Sequence, residues 1–334
     1  MQAFYTEETL HHFHIRVPRK IGKYQVIRTI GKGGYAVVVL ANDPRTSEKY
    51  AIKIISREEI VKNNMLLYLE NELRIAERLN HPNIVKIFEV IYEKESIMIV
   101  MEYLSREDLQ TLIDCDFTFS PKDEIRIANE LLEALVFLHS RGIAHRDIKP
   151  SNILFDNDYH VRLIDFGLSK QQNNLMSSFC GTPYFMAPEV VIQAQYDGLK
   201  ADIWGFGVTM HLLCTHLYPF DSNSEFQYVN DIKHEKLNVI IDAKGALGTI
   251  IKNSLIIDPN ERLGAENLLE SLQDLSQLVK LPTLSVSSHS NSSKVVFQKN
   301  HIKIDSPIAG TKQIKRISPV QSLQNFKRKR LFTI

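Results

Sequence analysis

The segment Ile143-Ala-His145-Arg146-Asp147-Ile-Lys149-Pro-Ser-Asn152-Ile-Leu154 decides how this chain is read. Just after the end of an expected helix it gathers two cations, one carboxylate and one carboxamide. Eleven residues past Leu154, Leu163-Ile-Asp165-Phe166-Gly167 sets a second carboxylate at the end of a short apolar run. Asn152 and Asp165 are oxygen donors that suit a hard divalent cation such as Mg²⁺, held largely through water and phosphate. Asp147 then remains to accept a hydroxyl proton.

Upstream, three segments dense in β-branched residues read as strands: Tyr24–Ile30, Tyr35–Ala41 and Lys49–Ile55, with Asn42-Asp-Pro-Arg as a hairpin turn. Between the first two lies Gly31-Lys32-Gly33-Gly34, where missing side chains let backbone N–H groups approach a polyphosphate. A dinucleotide site would need a helix after the glycines, and a strand follows instead. Lys53 sits in the middle of the apolar third strand, where an unpaired ammonium is costly, so it needs an anion. From Glu58 to Leu79 the period becomes helical, and Glu72 on that helix is the expected partner. Ile84–Ile91 and Ile97–Tyr103 read as further strands. Beyond them the pattern turns helical: Ser120-Pro121 opens one helix with a cap and a first-turn proline, and Ala201–Thr215, with the single tryptophan Trp204, reads as a core helix.

Taken in order and spacing, these motifs resemble the eukaryotic protein kinases from about Tyr24 to Leu269. The resemblance implies an α+β, bilobal kinase fold: a leader over 1–23, a β-rich N-lobe over 24–104, a mainly helical C-lobe over 105–279 and a basic tail over 280–334. It also implies ATP and Mg²⁺. By position, Gly31, Lys32, Gly33, Gly34, Ala36 and Val38 would cover the phosphates, and Ala51 would line the nucleotide site. Lys53, held by Glu72, would bind the α- and β-phosphates. Met101 matches the gatekeeper, Glu102 and Leu104 the adenine-binding hinge and Asp108 the ribose contact, and Leu154 would also line the nucleotide site. Asp147 would be the catalytic base, Lys149 the lysine near the γ-phosphate, and Asn152 and Asp165 the metal ligands. Cys180–Glu189 resembles the peptide-docking segment, anchored by a Glu189–Arg262 pair, and Asp202 the aspartate that holds the catalytic loop.

Lys149 and Gly181-Thr182-Pro183 follow the serine/threonine pattern. Phe179–Tyr184 and Asp165–Lys170 look most like the calmodulin-dependent and AMP-activated-related group. Asp108 and Glu107 would favour basic residues N-terminal to the acceptor. Ala36 replaces a third glycine, Phe185 a tyrosine and Gly205 a serine, yet no charge or metal ligand is lost. An active enzyme is therefore expected over a nucleotide-binding scaffold or a small-molecule kinase. Ser178, with Ser177 as rival, is the expected phosphosite for an upstream kinase, to be met by Arg146 and Lys170.

At 334 residues, 44% hydrophobic and 24% charged, the chain has an ordinary globular composition. Its net charge of +1 conceals a division: from Ser271 onward eleven Lys/Arg face two Asp/Glu, a net of +9 that leaves −8 for residues 1–270. No direct nucleic-acid binding is expected of the protein. Three cysteines and the absence of a signal-like or membrane-spanning run lead to the expectation of a reducing compartment, cytoplasmic or nuclear. In the serine-containing tail, Lys327–Arg330 resembles an import signal and Lys329–Phe332 a cyclin-docking motif. Arg330–Thr333 would let the tail occupy the chain's own cleft.

Overall fold

A computed structural model describes residues 15–33, 36–62, 69, 73, 79–171, 175–177 and 180–280. Among these, no helix is long and apolar enough to cross a membrane. The N-terminal part is one antiparallel sheet built from β1 (Lys20–Ile21), β2 (Tyr24–Lys32), β3 (Ala36–Asn42), β4 (Lys49–Ser56), β5 (Ile87–Tyr92) and β6 (Ser96–Glu102), in the order β1-β2-β3-β4-β6-β5. Side chains alternate between faces with period 2. Val37, Val39, Ala41, Ile52, Ile54, Met98 and Val100 therefore pack together on one face, while Ala36, Ile55, Ile97 and Ile99 pack on the other with Ile60, Leu69 and Leu73. Ile60 comes from helix α1 (Arg57–Lys62). Leu69 and Leu73 are helical and buried, at the four-residue spacing that puts both on one face.

Register delivers the nucleotide-site candidates. Gly31 pairs with Val38, Val38 with Lys53, and Lys53 with Ile99, so one row across the sheet carries the glycine loop's edge and the buried lysine. Ala51 pairs with Met101 two residues along, on the same face.

The second part is helical: α2 (Leu109–Asp114), α3 (Pro121–His139), α4 (Pro188–Ile192), α5 (Gly198–Thr215), α6 (Glu225–Lys233), α7 (Gly245–Ser254) and α8 (Ala265–Lys280), with short strands β7 (Ile143–Ala144), β8 (Ile153–Phe155), β9 (Val161–Leu163) and β10 (Lys170–Gln171). Ser120 caps α3 by accepting from Asp123 N at 3.2 Å, with Pro121 at the first helical position. Ile127, Leu131, Leu135 and Leu138 bury one face of α3. In α5 the run from Asp202 to Leu213 is buried without interruption, as suits a helix with no polar side. Trp204 Nε1 donates to Tyr228 Oη at 3.1 Å, and that hydroxyl donates to Met186 O at 2.8 Å, so the large aromatic residues of the core leave no polar atom wasted.

Two expectations need correction. The strand expected over Ile84–Ile91 begins only at Ile87, because Ile84 bridges Leu163 instead and Val85 N donates to Leu163 O at 3.0 Å. Leu163 N returns to Asn83 O at 2.8 Å, so His81-Pro-Asn stitches the sheet to the helical part. The expected four-residue hairpin turn is a six-residue loop over 43–48, closed by Asp43 N to Glu48 O and by an Asp43 carboxylate that accepts from Arg45 N. Competition from that aspartate for local backbone donors explains the longer loop.

Candidate active site

Asp147 is almost fully buried, and its carboxylate is held from three directions. Lys149 Nζ lies 2.7 Å from Oδ2, Asn152 Nδ2 donates to the same oxygen at 3.1 Å, and Thr182 Oγ1 donates to Oδ1 at 2.9 Å. Lys149 Nζ also donates to Thr182 Oγ1 at 2.7 Å. Asn152 comes from the 3-10 turn Pro150–Asn152, and its Nδ2 is committed again to Asp147 O at 2.8 Å. That leaves its carbonyl oxygen as the atom to face a cation. Bonds to charged groups are short and strong, so this triangle fixes the carboxylate's rotamer before any substrate arrives.

The loop carrying Asp147 is tied to the core helix. Asp202 on α5 accepts from His145 N at 2.8 Å and Arg146 N at 2.6 Å, and His139, at the end of α3, contacts it through Nε2 at 3.0 Å. Arg146 is left-handed at φ 67°, as is Asp165 at φ 63°. Such backbones cost about 1–3 kcal/mol each in non-glycine residues, and the paired amide bonds to Asp202 offset that cost at Arg146. His145 is fully buried, bonds Ile164 O at 3.0 Å and meets the Phe166 ring edge-on. It thereby fastens the Asp147 loop to the Asp165 segment.

Across the interface between the two parts, Lys53 Nζ stands 3.5 Å from Asp165 Oδ1, both side chains being more than nine-tenths buried. Glu72, expected beside Lys53, lies outside the described residues, as do Gly34, Tyr35 and Ser178. Gly33 N donates to Ala36 O at 2.8 Å, which closes the glycine loop onto β3. Lys32 is exposed, and Val38, Glu102, Leu104 and Leu154 are half-buried. Glu102 Oε1 accepts from Lys86 N at 2.7 Å.

The Glu189–Arg262 pair that the resemblance implies does form. Arg262 and Glu189, both buried, pair through two bonds of 2.6 and 2.9 Å, while Arg262 also donates to Lys200 O and Ile256 O. Full hydrogen bonding of this kind is what a buried ion pair requires. Gly205 is explained by space: a Cβ there would stand 2.8 Å from Ile148 O. Arg146 Nε donates to Leu168 O at 2.6 Å, and Lys170 is exposed on β10.

Two contacts of the candidate site are not legible from the motifs alone. Thr182, part of the Gly-Thr-Pro pattern, touches both Asp147 and Lys149, and no spacing between positions 35 residues apart predicts that contact. Asp108 caps α2, accepting from Thr111 N at 2.8 Å and Thr111 Oγ1 at 2.9 Å. The Asp-x-x-Thr spacing was a legible signal for this.

The donor set fits the group that the motifs imply: two buried cations, Lys53 paired with Asp165 and Lys149 paired with Asp147, together with the hard oxygens of Asn152 and Asp165. The model for the protein kinase domain matches residues 24–272. CBL-interacting serine/threonine-protein kinase 3 of Arabidopsis thaliana is 34% identical over 250 residues, covering 73% of this chain and 56% of the relative. CBL-interacting protein kinase 33 of Oryza sativa subsp. japonica is 36% identical over 214 residues, covering 63% and 47%. The chain thus spans about half the length of these curated relatives. On the motif match, the two-part fold and these similarities, the chain belongs to the eukaryotic protein kinase family, in the serine/threonine branch related to the calmodulin-dependent kinases.

Proposed function

We propose that this chain transfers the γ-phosphoryl group of ATP to serine or threonine in protein substrates, with a preference for basic residues N-terminal to the acceptor. The observation that supports this best is the Asp147 carboxylate, oriented by Lys149, Thr182 and Asn152 next to the Lys53–Asp165 pair. Gly31, Gly33, Ala36 and Val38 would lie along the phosphates of ATP, Lys53 would meet them, and Asn152 and Asp165 would hold Mg²⁺. When bound, Mg²⁺·ATP supplies the phosphoryl group and the neutralising charge. Asp147 accepts the acceptor hydroxyl's hydrogen bond and then its proton, while Lys149 offsets the charge on the transferring group. Positioning and electrostatics of this kind carry most of the catalysis in phosphoryl transfer.

The test is phosphorylation of an arrayed peptide library by the purified chain with Mg²⁺ and ATP. Incorporation into Ser/Thr peptides, abolished by Asp147→Asn, supports the proposal. ATP binding with no peptide modified refutes it in favour of a nucleotide-binding scaffold, and ATP consumption without peptide phosphorylation points to a small-molecule acceptor.

Control is proposed on the same footing. Phosphate on Ser178, placed by an upstream kinase, would meet the cations Arg146 and Lys170, and full activity of Ser178→Ala refutes this. For the tail, deletion of residues 282–334 raises activity if the segment occupies the chain's own cleft. It shifts the protein from nucleus to cytoplasm if the tail binds an import receptor, and it removes a cyclin pull-down if it binds cyclin. No change in all three refutes the tail readings.

A further inference from the structure

The segment between β6 and α2 is irregular, and Ser105, Arg106 and Glu107 in it are exposed, yet two of these side chains reach back to a distant turn. Ser105 Oγ donates to Asn157 Oδ1 at 2.6 Å, 52 positions away, and Arg106 Nη2 donates to Asn157 O at 3.1 Å. The Arg106 guanidinium also lies 4.7 Å above the Tyr159 ring, where a cation meets the ring's negative face. The start of the segment is tied to the same turn, because Arg162 joins Glu102, at 3.5 Å, to Asp156, at 3.1 Å. None of Ser105, Arg106 and Asn157 carries a role in the site described above.

The turn over 156–160 that receives these contacts is a fixed platform. Its backbone closes through Asp156 N to His160 O and Tyr159 N to Asp156 O, both at 3.1 Å, and the Asp156 carboxylate accepts from Asp158 N and His160 N. Helix α3 holds it as well: Arg126 Nη1 donates to Tyr159 O at 2.8 Å, and Glu130 accepts from Val161 N at 2.7 Å while pairing with His160. Tyr159 is left-handed at φ 62°, a conformation costly for a non-glycine residue, which this ring of contacts maintains. The strands that leave the turn run to the expected cation ligands. Ile153, next to Asn152, pairs with Leu163, two residues before Asp165. One hairpin therefore sets the position both of the segment expected to meet adenine and of the oxygens expected to meet Mg²⁺.

We infer that Ser105, Arg106 and Asn157 form a latch that holds the 103–108 segment in its nucleotide-competent conformation, which makes them positioning residues for ATP. This deepens the proposed kinase function and rests on it for the identity of the nucleotide. An exposed segment with little regular hydrogen bonding samples several conformations when untied. The apparent dissociation constant of a ligand is its intrinsic value divided by the competent fraction, so loosening the latch weakens binding in proportion. In the bound state the nucleotide's own contacts hold the segment, so turnover at saturation should be unchanged. The latch acts on Glu102, Leu104 and Asp108 through the backbone that joins them.

The test is calorimetric titration of the purified chain with adenosine and with Mg²⁺·ATP, alongside steady-state peptide kinetics and thermal unfolding. Ser105→Ala and Asn157→Ala should each weaken both ligands about threefold, and Arg106→Met, which removes a bond and a ring contact, about fivefold. The double variant Ser105→Ala/Asn157→Ala should bind no more weakly than either single one, since both delete the same bond. Ser105→Thr, which keeps the hydroxyl, should bind as the parent does. KM for ATP should rise by the same factors, with kcat within about twofold. Arg141→Met, which removes a guanidinium stacked on Phe137 at the end of α3, should change neither. All four substituted residues are exposed, so each variant should unfold at the parental Tm. The inference is overturned if the latch variants bind adenosine like the parent, if the losses add in the double variant, or if kcat falls as far as affinity. An equal loss of affinity in Arg141→Met marks a general effect of surface substitution and overturns it too. Calorimetry needs no phosphoryl transfer, so the latch is read even from a chain that modifies no peptide, a result that refutes the kinase proposal alone. Peptide phosphorylation with unshifted variants sinks the latch alone, and a parent chain that binds neither adenosine nor ATP overturns both.

Discussion

Replacing Gly205 with alanine tests how tightly the core helix is fitted to the loop that carries Asp147. Helix propensity alone predicts a gain of about 1 kcal/mol for Gly→Ala in the middle of α5. The structure predicts the opposite sign. A Cβ at this position stands 2.8 Å from Ile148 O and 3.2 Å from Ile148 Cβ. The first contact is backbone, so it cannot rotate away as a side-chain tip would. Relief to an ordinary contact near 3.4 Å requires a shift of roughly 0.6 Å in the loop or the helix. Overpacking of this kind costs about 1–3 kcal/mol. Taking about 2 and subtracting the propensity gain leaves a net loss near 1 kcal/mol, or a fall in Tm of about 2–4 °C for a domain of this size. Activity should suffer more, because Ile148 adjoins Asp147. If a 1 Å misplacement costs about 100-fold, a shift of half that size costs about tenfold in kcat. Thermal unfolding and steady-state peptide kinetics on Gly205→Ala check both numbers. A variant with raised Tm and unchanged kcat would refute the contact and with it the explanation for glycine at this site.

Three further outcomes are expected. Asp147→Asn should keep ATP affinity within about twofold, by calorimetry, while turnover falls at least ~100-fold, the usual contribution of a positioned base. Arg262→Ala should destabilise by about 3–5 kcal/mol in chemical denaturation, since Glu189 is left charged and buried, and the double variant with Glu189→Leu should recover much of that loss. Burial holds the His81 and His211 pKa values below that of free histidine. The unfolded chain therefore takes up protons near pH 6.5 that the folded chain refuses, so stability is full above about pH 6.5 and falls as pH drops below it. A urea midpoint that stays flat from pH 7.5 to 5.5 would contradict this, and His211→Gln should flatten part of the slope.

Much of the site was legible because its chemistry is concentrated in short segments. Asp147, Lys149 and Asn152 lie within one loop, so spacing alone brought them together, and Asp165 followed at a short remove. Strand alternation likewise put Val38, Ala51 and Lys53 on one face. What escaped was whatever depends on distant segments meeting. Thr182 reaches Asp147 across 35 positions, and Ile84 abandons the expected strand to bridge Leu163. The fit between Gly205 and Ile148 was invisible for the same reason: glycine in place of the usual serine has no cause until the Ile148 backbone comes up against it. The rings of Tyr184 and Tyr218, stacked with centroids 4.5 Å apart, belong here too, since aromatic residues 34 positions apart carry no periodicity to betray their contact.

The two amide bonds to Asp202 have a kinetic meaning as well as a geometric one. His145 and Arg146 belong to a segment with little regular structure, and such backbones usually exchange their amide protons through small local openings. Here both N–H groups end on a carboxylate anchored in the buried middle of α5. Their protons can leave only when that helix gives way, so in deuterated solvent this pair should outlast the amides of the regular β5 edge strand. By this route an irregular loop acquires the lifetime of the deepest helix in the molecule.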